Sequence, residues 1–308
     1  MPIIQIDGPE CSGKSTIASV LEHDHGARVR HWGPVDPDDR VYSVPMEQDI
    51  MSGDLVVWDR SWAAEHVYAS LLKRDRRLAD DPWLGEWIHG RAVRTVGVQC
   101  ILLGPSSLAL DVLRDKSEVA ELPVDAGVER VCFALYGERF GYLTIENDHT
   151  KEEAERWADV LYTSARDTHA LAKLNPPGYC GPPNANVVFV GERKADHGTI
   201  PGSWLPFTSR LGTMLGRDLG DFALRCGWTN AQDYPPQLLR NVPCLVALGQ
   251  VAAKWVDHYV HPTMEYWVLD HPGYIYRWGK QSKRMAKHRD ALETIVQRWQ
   301  GHTTKEVE

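Results

Sequence analysis

Apolar and polar positions alternate in blocks along the chain, and these blocks predict buried strands followed by amphipathic helices. The first block, Ile3-Ile4-Gln5-Ile6, is short and apolar, as expected for a buried strand of a parallel sheet. It leads into Gly8-x-x-x-x-Gly13-Lys14-Ser15, and a helical pattern follows from Thr16 to about Glu22. Apolar runs within 53–61 and at 98–103 predict further strands. Strands that alternate with helices in this way are typical of an α/β fold.

The segment from Gly8 to Ser15 is a P-loop motif, with a strand before it and a helix after it. Glycines allow the backbone N–H groups of such a loop to surround a polyphosphate, and the N-terminus of the next helix adds partial positive charge. Lys14 is predicted to reach the β- and γ-phosphates of ATP, and Ser15 to bind Mg²⁺. The predicted nucleotide-binding residues are Gly8, Ser12, Gly13, Lys14, Ser15 and Thr16.

An Asp59-Arg60 pair ends the apolar run within 53–61. Ligands bind at the carboxyl ends of strands in open α/β sheets, so this pair is predicted to lie beside the P-loop. Asp59 is then a second predicted Mg²⁺ ligand beside Ser15. The structural alternative is a strand-end cap with a surface salt bridge.

A stretch rich in Pro and Gly at 175–185 predicts a linker between two domains. Beyond it, a buried-strand pattern at 186–192 is followed by helical and apolar runs that again alternate. The sequence therefore predicts a first α/β domain over 1–174 and a second α/β domain over 186–308.

The distribution of charge distinguishes the two predicted domains. The 308 residues are 43% apolar and 25% charged, as in ordinary soluble globular proteins. Residues 1–172 hold 18 Lys and Arg against 30 Asp and Glu, a net charge of −12, whereas residues 173–308 hold 16 against 12, a net charge of +4. The second half is therefore better suited than the first to bind nucleic acid.

Other features of the sequence exclude several classes of protein. No apolar run approaches the length of a membrane span, and the chain starts directly in a strand pattern without a signal peptide. The six cysteines form no Cys-x-x-Cys pair, so neither a zinc site nor a disulfide framework is predicted. We expect a cytoplasmic protein, in the host cytoplasm if it is viral, with no membrane partner.

Three features of the first half resemble the thymidylate-kinase group of P-loop deoxynucleotide kinases. The P-loop carries an acidic residue at Glu10, and Asp59-Arg60 follows an apolar strand. The run at 98–103 precedes a segment with Arg114 and Lys116, where that group has a lid. The resemblance covers roughly residues 1–170.

The resemblance to these kinases implies phosphoryl transfer from ATP, with Mg²⁺, to a deoxynucleotide. It implies that Arg60 holds the phosphate of the acceptor and that Glu10 accepts a hydrogen bond from its 3′-hydroxyl. Glu10 as a solvated loop carboxylate is the alternative interpretation. The predicted catalytic residues are Lys14, Asp59, Arg60 and Glu10.

An ordered set of short motifs in the second half resembles the uracil-DNA glycosylase superfamily over about 185–299. The motifs are Gly191-Glu192, Pro206-Phe207, Thr229-Asn230, Leu248-Gly249 and His271-Pro272. The resemblance implies that Glu192 positions the attacking water, that Phe207 stacks on a flipped base, that Asn230 reads the edge of the base and that His271 contacts the sugar-phosphate. Arg193-Lys194 and Gly273 differ from the usual motifs, and these differences favour base binding without cleavage.

A basic face follows the last of these motifs. Its members, at roughly helical spacing, are Arg277, Lys280, Lys283, Arg284 and Lys287. They are the predicted DNA contacts, and a solvated helix surface is the alternative.

Three hypotheses of function remain open from the sequence. The first is a kinase for a free deoxynucleoside monophosphate. The second is a kinase that phosphorylates a hydroxymethylpyrimidine within DNA, as in phage DNA modification, with the second domain recognising the base. The third is a DNA glycosylase or DNA-binding protein with a regulatory P-loop. Self-association as a homodimer is compatible with each of them.

Overall fold

The computed structural model describes most of the chain in separate ranges, and every structural statement below concerns these ranges alone. They are residues 2–32, 46, 48–49, 52–73, 81–105, 124–148, 150–172, 178–192, 207, 209–231, 242–257, 260–278 and 283–301. The chain divides into two compact units, Met1–Ala170 and Leu171–Glu308.

The first unit is a parallel sheet with helices between its strands. Its strands are β1 (Ile3–Asp7), β2 (Arg28–His31), β3 (Val56–Asp59), β4 (Val98–Leu102) and β5 (Leu143–Ile145), in the order β2-β3-β1-β4-β5. Its helices are α1 (Lys14–His25), α2 (Trp62–Leu71), α3 (Pro82–Gly85), α4 (Arg91–Val96), α5 (Ala126–Phe140) and α6 (Lys151–Ala172). A π-helical turn over Glu86–Gly90 joins α3 to α4.

β1 lies at the centre of this sheet and is buried on both faces. Ile4 pairs with Val57 of β3 and with Val98 of β4. Successive side chains of a strand point to opposite faces, and all five side chains of β1 are buried, so both faces of the strand are covered. After β1 the chain continues to β2 on one side of the sheet, and after β4 it continues to β5 on the other side. In open α/β sheets, ligands bind at the carboxyl ends of the strands where the chain diverges in this way, here β1 and β4.

The interior beside β1 also contains polar side chains. The amide nitrogen of Gln5 lies 2.8 Å from Oδ2 of Asp7 and 2.8 Å from Oγ of Ser61. The hydroxyl of Tyr142 lies 2.9 Å from the Gln5 nitrogen and donates to Oε1 of Glu86 at 2.6 Å. Buried polar groups require such partners, because each would otherwise lose its hydrogen bonds to water.

Glu86 lies at the far end of this network and is fully buried. Its Oε1 also accepts hydrogen bonds from the Trp62 indole and the Tyr136 hydroxyl, each at 2.9 Å. Its Oε2 pairs with Nη2 of Arg94 at 2.7 Å. One carboxylate thus connects α2, the π-helical turn, α4 and α5.

The second unit is another parallel sheet. Its strands are β6 (Val187–Gly191), β7 (Gly227–Asn230), β8 (Cys244–Leu248) and β9 (Glu265–Leu269), in the order β7-β6-β8-β9. Its helices are α7 (Arg210–Leu219), a 3₁₀ turn (Gly220–Arg225), α8 (Gln250–Val256), α9 (Pro272–Trp278) and α10 (Lys283–Trp299). The predicted α/β class with parallel sheets is confirmed.

None of the helices in the described ranges combines the length and the apolar composition that crossing a membrane requires.

Candidate functional site

The P-loop lies at the carboxyl end of β1, where its glycines let it pass close to the sheet. A Cβ atom on Gly8 would overlap the carbonyl oxygen of Leu102 on β4, so only glycine fits there. The loop ends at Gly13, and α1 begins at Lys14. The first N–H groups of α1 have no partners within the helix, and this end of a helix favours an anion.

The side chain of Lys14 is folded into this loop and is buried. Its ammonium donates to the carbonyl oxygens of Pro9 at 2.6 Å and Gly8 at 3.0 Å. Burial lowers the pKa of Lys14, because removal from water disfavours its charged form. The predicted phosphate-binding lysine therefore lies inside the loop that would hold the phosphates.

Ser15 and Asp59, the two predicted Mg²⁺ ligands, are in contact. The Ser15 hydroxyl donates to Oδ2 of Asp59 at 2.9 Å. Oδ1 of Asp59 is buried and has no hydrogen-bond partner within the described residues. Oxygen ligands of this kind suit Mg²⁺, which keeps waters and substrate phosphates as its other ligands. These two residues therefore fit Mg²⁺, although the described ranges contain no group of three or more His, Cys, Asp or Glu arranged to hold a metal.

His31 is a neighbour of this pair that the sequence analysis missed. Its Nδ1 lies 2.8 Å from Oδ2 of Asp59. The contact follows from register, since His31 and Asp59 are direct partners in the β2–β3 pairing. A carboxylate at the end of one strand and an imidazole at the end of the next were both visible in the sequence, but their pairing depends on the order of the strands.

Glu10 and Arg60, the two residues predicted to bind the acceptor, form an ion pair. Nη2 of Arg60 lies 2.5 Å from Oε1 of Glu10, and both side chains are partly buried. The Arg60 backbone has a φ of +75°, which is uncommon for a residue other than glycine. This conformation places the guanidinium beside the P-loop.

The backbone of Glu10 is bound by Glu129, which is bound in turn by Tyr68, and the sequence analysis missed both residues. The Glu10 N–H donates to Oε1 of Glu129 at 2.8 Å, and the Tyr68 hydroxyl donates to the same oxygen. Glu129 is fully buried in the first turn of α5. A carboxylate on a distant helix therefore fixes the P-loop backbone at the residue whose side chain pairs with Arg60.

The predicted residues of the second unit also gather at one edge of a sheet. Gly191 ends β6, Asn230 ends β7, Gly249 follows β8 and His271 follows β9. All pairings in this sheet are parallel, so these four strand ends lie on the same side.

Phe207 and Asn230 converge on Gly191. A Cβ atom on Gly191 would lie 2.8 Å from Oδ1 of Asn230 and 2.8 Å from Cζ of Phe207. The Phe207 ring also packs edge-on against Trp228, with 5.0 Å between ring centroids. The Phe207 backbone has a φ of +61°, a strained conformation that recurs at binding sites.

Glu192 and His271 complete the group. Burial lowers the pKa of His271, and the nearby negative charge of Glu192 acts in the opposite direction. Nδ1 of His271 accepts a hydrogen bond from the Gly273 N–H at 3.0 Å. A Cβ atom on Gly249 would lie 3.1 Å from Cβ of His271, so the loop after β8 passes close to it.

The predicted basic face is shared by two helices. Arg277 lies on α9, whereas Lys283, Arg284 and Lys287 lie on α10, and all four are exposed. Arg284 donates to the hydroxyl of Tyr274 at 2.7 Å, and the ring of Tyr274 is itself 46% exposed. The remaining predicted residues, Lys280, Arg114, Lys116 and Pro206, lie outside the described residues.

No protein-family model matches the chain, and no curated protein matches it. Some solved structures do match the chain. YorR of Bacillus subtilis, in complex with phosphorylated GDP, is 16% identical over 54% of this chain and 98% of its own, with a TM-score of 0.41.

Two other solved structures that match are nucleotide kinases. Deoxyadenosine kinase of M. mycoides with bound dCTP is 13% identical over 52% of this chain and 99% of its own, with a TM-score of 0.34. Thymidylate kinase of Candida albicans is 14% identical over 55% of this chain and 93% of its own, with a TM-score of 0.36. Each covers about half of this chain.

Proposed function

We propose that the first unit is an ATP-dependent kinase that transfers the γ-phosphoryl group to a deoxynucleotide. The observation that carries this proposal is the position of Lys14 and Ser15 of the P-loop beside Asp59 and Arg60, at the carboxyl ends of β1 and β3. Phosphoryl transfer depends on precisely positioned charges more than on covalent chemistry. The charged side chains at these strand ends supply such charges.

Each side chain has a role in this proposal. The Lys14 ammonium offsets the charge that develops on the transferred phosphoryl group, and burial strengthens that interaction. Ser15 and Asp59 hold Mg²⁺, which neutralises charge on the nucleotide phosphates when it is bound. Arg60 binds the acceptor, and Glu10 orients both Arg60 and the acceptor hydroxyl.

A free deoxynucleoside monophosphate is the acceptor that Arg60 and Glu10 favour. A guanidinium binds phosphate through two parallel hydrogen bonds, which suits a monophosphate. The 3′-hydroxyl that Glu10 would bind is free in a mononucleotide and esterified within a strand. A phosphate that binds Arg60 would compete with the existing Arg60–Glu10 ion pair, leaving the Glu10 carboxylate for the hydroxyl.

A transfer assay tests this function. The full chain is incubated with γ-labelled ATP and Mg²⁺ beside a panel of deoxynucleoside monophosphates, and label in the diphosphate product is measured. We expect transfer to at least one member of the panel and none with Lys14→Ala. Label in the product that persists unchanged in Lys14→Ala would refute the proposed role of the P-loop.

A second candidate acceptor is a hydroxymethylpyrimidine within DNA, as in phage DNA modification. The convergence of Phe207, Asn230, Glu192 and His271 at one sheet edge favours it, since these side chains offer stacking, edge recognition and phosphate contact for an extruded base. DNA that contains hydroxymethyluracil is added to the same assay, with thymidine DNA as its control. Label that enters the hydroxymethyluracil DNA but not the thymidine DNA, and that is lost in Asn230→Ala, would establish this acceptor.

The third candidate is base excision by the second unit. Uracil-containing DNA is incubated with the full chain and then treated with alkali to reveal abasic sites. We expect none, because Arg193-Lys194 and Gly273 alter the motifs around Glu192 and His271. Abasic sites that disappear in Glu192→Gln would establish a glycosylase instead.

A further inference from the structure

His31 ends β2 and contacts Asp59, one of the two predicted Mg²⁺ ligands. The side chain of His31 is 66% exposed, whereas that of Asp59 is 5% exposed. The Trp32 N–H donates to the Asp59 carbonyl oxygen at 3.0 Å, so the backbone that follows His31 is bound to Asp59 as well. The register of the sheet therefore holds an exposed imidazole against a buried carboxylate.

The Asp59 carboxylate has two hydrogen-bond partners within the described residues, and both contact the same oxygen. The Ser15 hydroxyl donates to Oδ2 at 2.9 Å, and Nδ1 of His31 lies 2.8 Å from Oδ2. An ionised carboxylate only accepts hydrogen bonds, so Nδ1 carries the hydrogen of this contact. Oδ1 is buried and has no partner in this part of the chain, so it is the oxygen that gains most from a cation.

We propose that His31 is a positioning residue for Mg²⁺, which holds the Asp59 carboxylate in the orientation that binds the ion. Ser15 is less suited to this role, because its hydroxyl oxygen is itself a predicted ligand. Groups that hold a metal ligand through a hydrogen bond change metal affinity by about 10–100-fold. The inference rests on the proposed kinase function, which brings the nucleotide and Mg²⁺ to this edge of the sheet.

The exposure of His31 allows this role to be separated from a structural one. A smaller side chain at an exposed position leaves no closed cavity, so the first unit should keep its fold when the ring is removed. Ion pairs with an exposed partner also contribute little to stability. A change in Mg²⁺ binding after substitution of His31 would therefore come from the orientation of Asp59.

The dependence of nucleotide affinity on Mg²⁺ tests this role without any turnover. The dissociation constant of an ATP analogue that cannot transfer its γ-phosphoryl group is measured on the full chain by calorimetry, once with excess Mg²⁺ and once with EDTA. The constant in EDTA divided by the constant in Mg²⁺ is the coupling ratio between ion and nucleotide. In His31→Ala we expect the constant in EDTA to stay the same and the coupling ratio to fall by about tenfold.

Further variants identify the contact that matters. The amide nitrogen of asparagine can occupy the place of Nδ1, whereas that of glutamine reaches the place of Nε2, so His31→Asn should retain more of the coupling ratio than His31→Gln. His23→Ala is the matched control, because His23 is an exposed histidine on α1, and it should leave the coupling ratio unchanged. Adding His31→Ala to Asp59→Ala should cause no further fall, since a positioning residue acts through its partner.

The results distinguish this inference from the proposed function. An analogue that does not bind the unmodified chain, or that binds it with a coupling ratio near one, would refute the nucleotide and Mg²⁺ site and the role of His31 with it. A coupling ratio well above one that is the same in His31→Ala would overturn the role of His31 alone. A further fall when His31→Ala is added to Asp59→Ala would also overturn it, because His31 would then act on the ion without Asp59.

Discussion

The buried carboxyl of Asp7 should make the first unit less stable as the pH rises through about 6. Asp7 ends β1, is fully buried and accepts hydrogen bonds from Ser61 at 2.6 Å and from the Ala64 N–H at 3.2 Å. Burial raises the pKa of Asp7 from 3.8 to about 6, although the hydrogen bonds from Ser61 and Gln5 act in the opposite direction. The folded chain therefore binds this proton more tightly than the unfolded chain.

The size of the effect follows from the two pKa values. The stabilisation from the bound proton is complete below about pH 3.8, declines as the pH rises and is lost above about pH 6. A difference from 3.8 to about 6 corresponds to roughly 3 kcal/mol of unfolding free energy. Asp7→Asn cannot titrate, so its stability should lack this decline.

Hydrogen exchange of peptides from β1 and β3 in increasing denaturant measures the unfolding free energy of the first unit. The stability of the second unit does not enter this measurement. The unfolding free energy of the unmodified chain minus that of Asp7→Asn should fall by about 2 kcal/mol between pH 4 and pH 7, because part of the full difference is already lost at pH 4. Asp24→Asn, at an exposed position of α1, is the control for the replacement of an aspartate by asparagine. Parallel curves for the unmodified chain and Asp7→Asn would refute the assignment of a raised pKa to this carboxyl.

Substitutions at Lys14, at Arg60 and at the pair Lys283 and Lys287 test the sites. Lys14→Ala should reduce phosphoryl transfer by several orders of magnitude with a nearly unchanged melting curve, and a loss of only a few-fold would show that the lysine does not contact the transferred group. Arg60→Lys should remain well below the unmodified chain and above Arg60→Ala in steady-state kinetics, because an ammonium cannot bind phosphate through two parallel hydrogen bonds, and full recovery with lysine would contradict this reason. Replacing Lys283 and Lys287 by alanine should lower the slope of log K against log salt for DNA by about two, near 0.9 for each phosphate contact, and an unchanged slope in a binding titration would remove both from the DNA surface.

The local parts of this molecule could be predicted from the sequence. The strand, P-loop and helix over residues 3–25 follow from a short apolar run, glycines and a helical pattern that are adjacent in the chain. The position of Asp59-Arg60 beside the loop followed from one general rule about strand ends. In the second unit, Asn230 and His271 came from an ordered set of motifs that resembles a known superfamily, and the strand order then shows them at one edge of the sheet.

The missed residues share a dependence on distant parts of the chain. His31 contacts Asp59 because β2 and β3 pair in a particular register. The order and register of strands cannot be deduced from the sequence alone. Glu129 supports Glu10 because α5 packs near the P-loop, 119 positions away along the chain. The left-handed backbone of Phe207 has no local signal either, since aromatic residues rarely adopt it.

The carboxylate of Glu86 limits how this protein can change over generations. Replacing Glu86 alone would leave the buried Trp62 indole, two buried tyrosine hydroxyls and the Arg94 guanidinium without their common acceptor. A wholly apolar version of the same interior could be as stable, but every single step toward it passes through a chain with buried unpaired groups. Glu86, Arg94, Tyr136 and Tyr142 should therefore be kept or lost together among descendants of this chain. Two separate stretches of the sequence would then change in a correlated way.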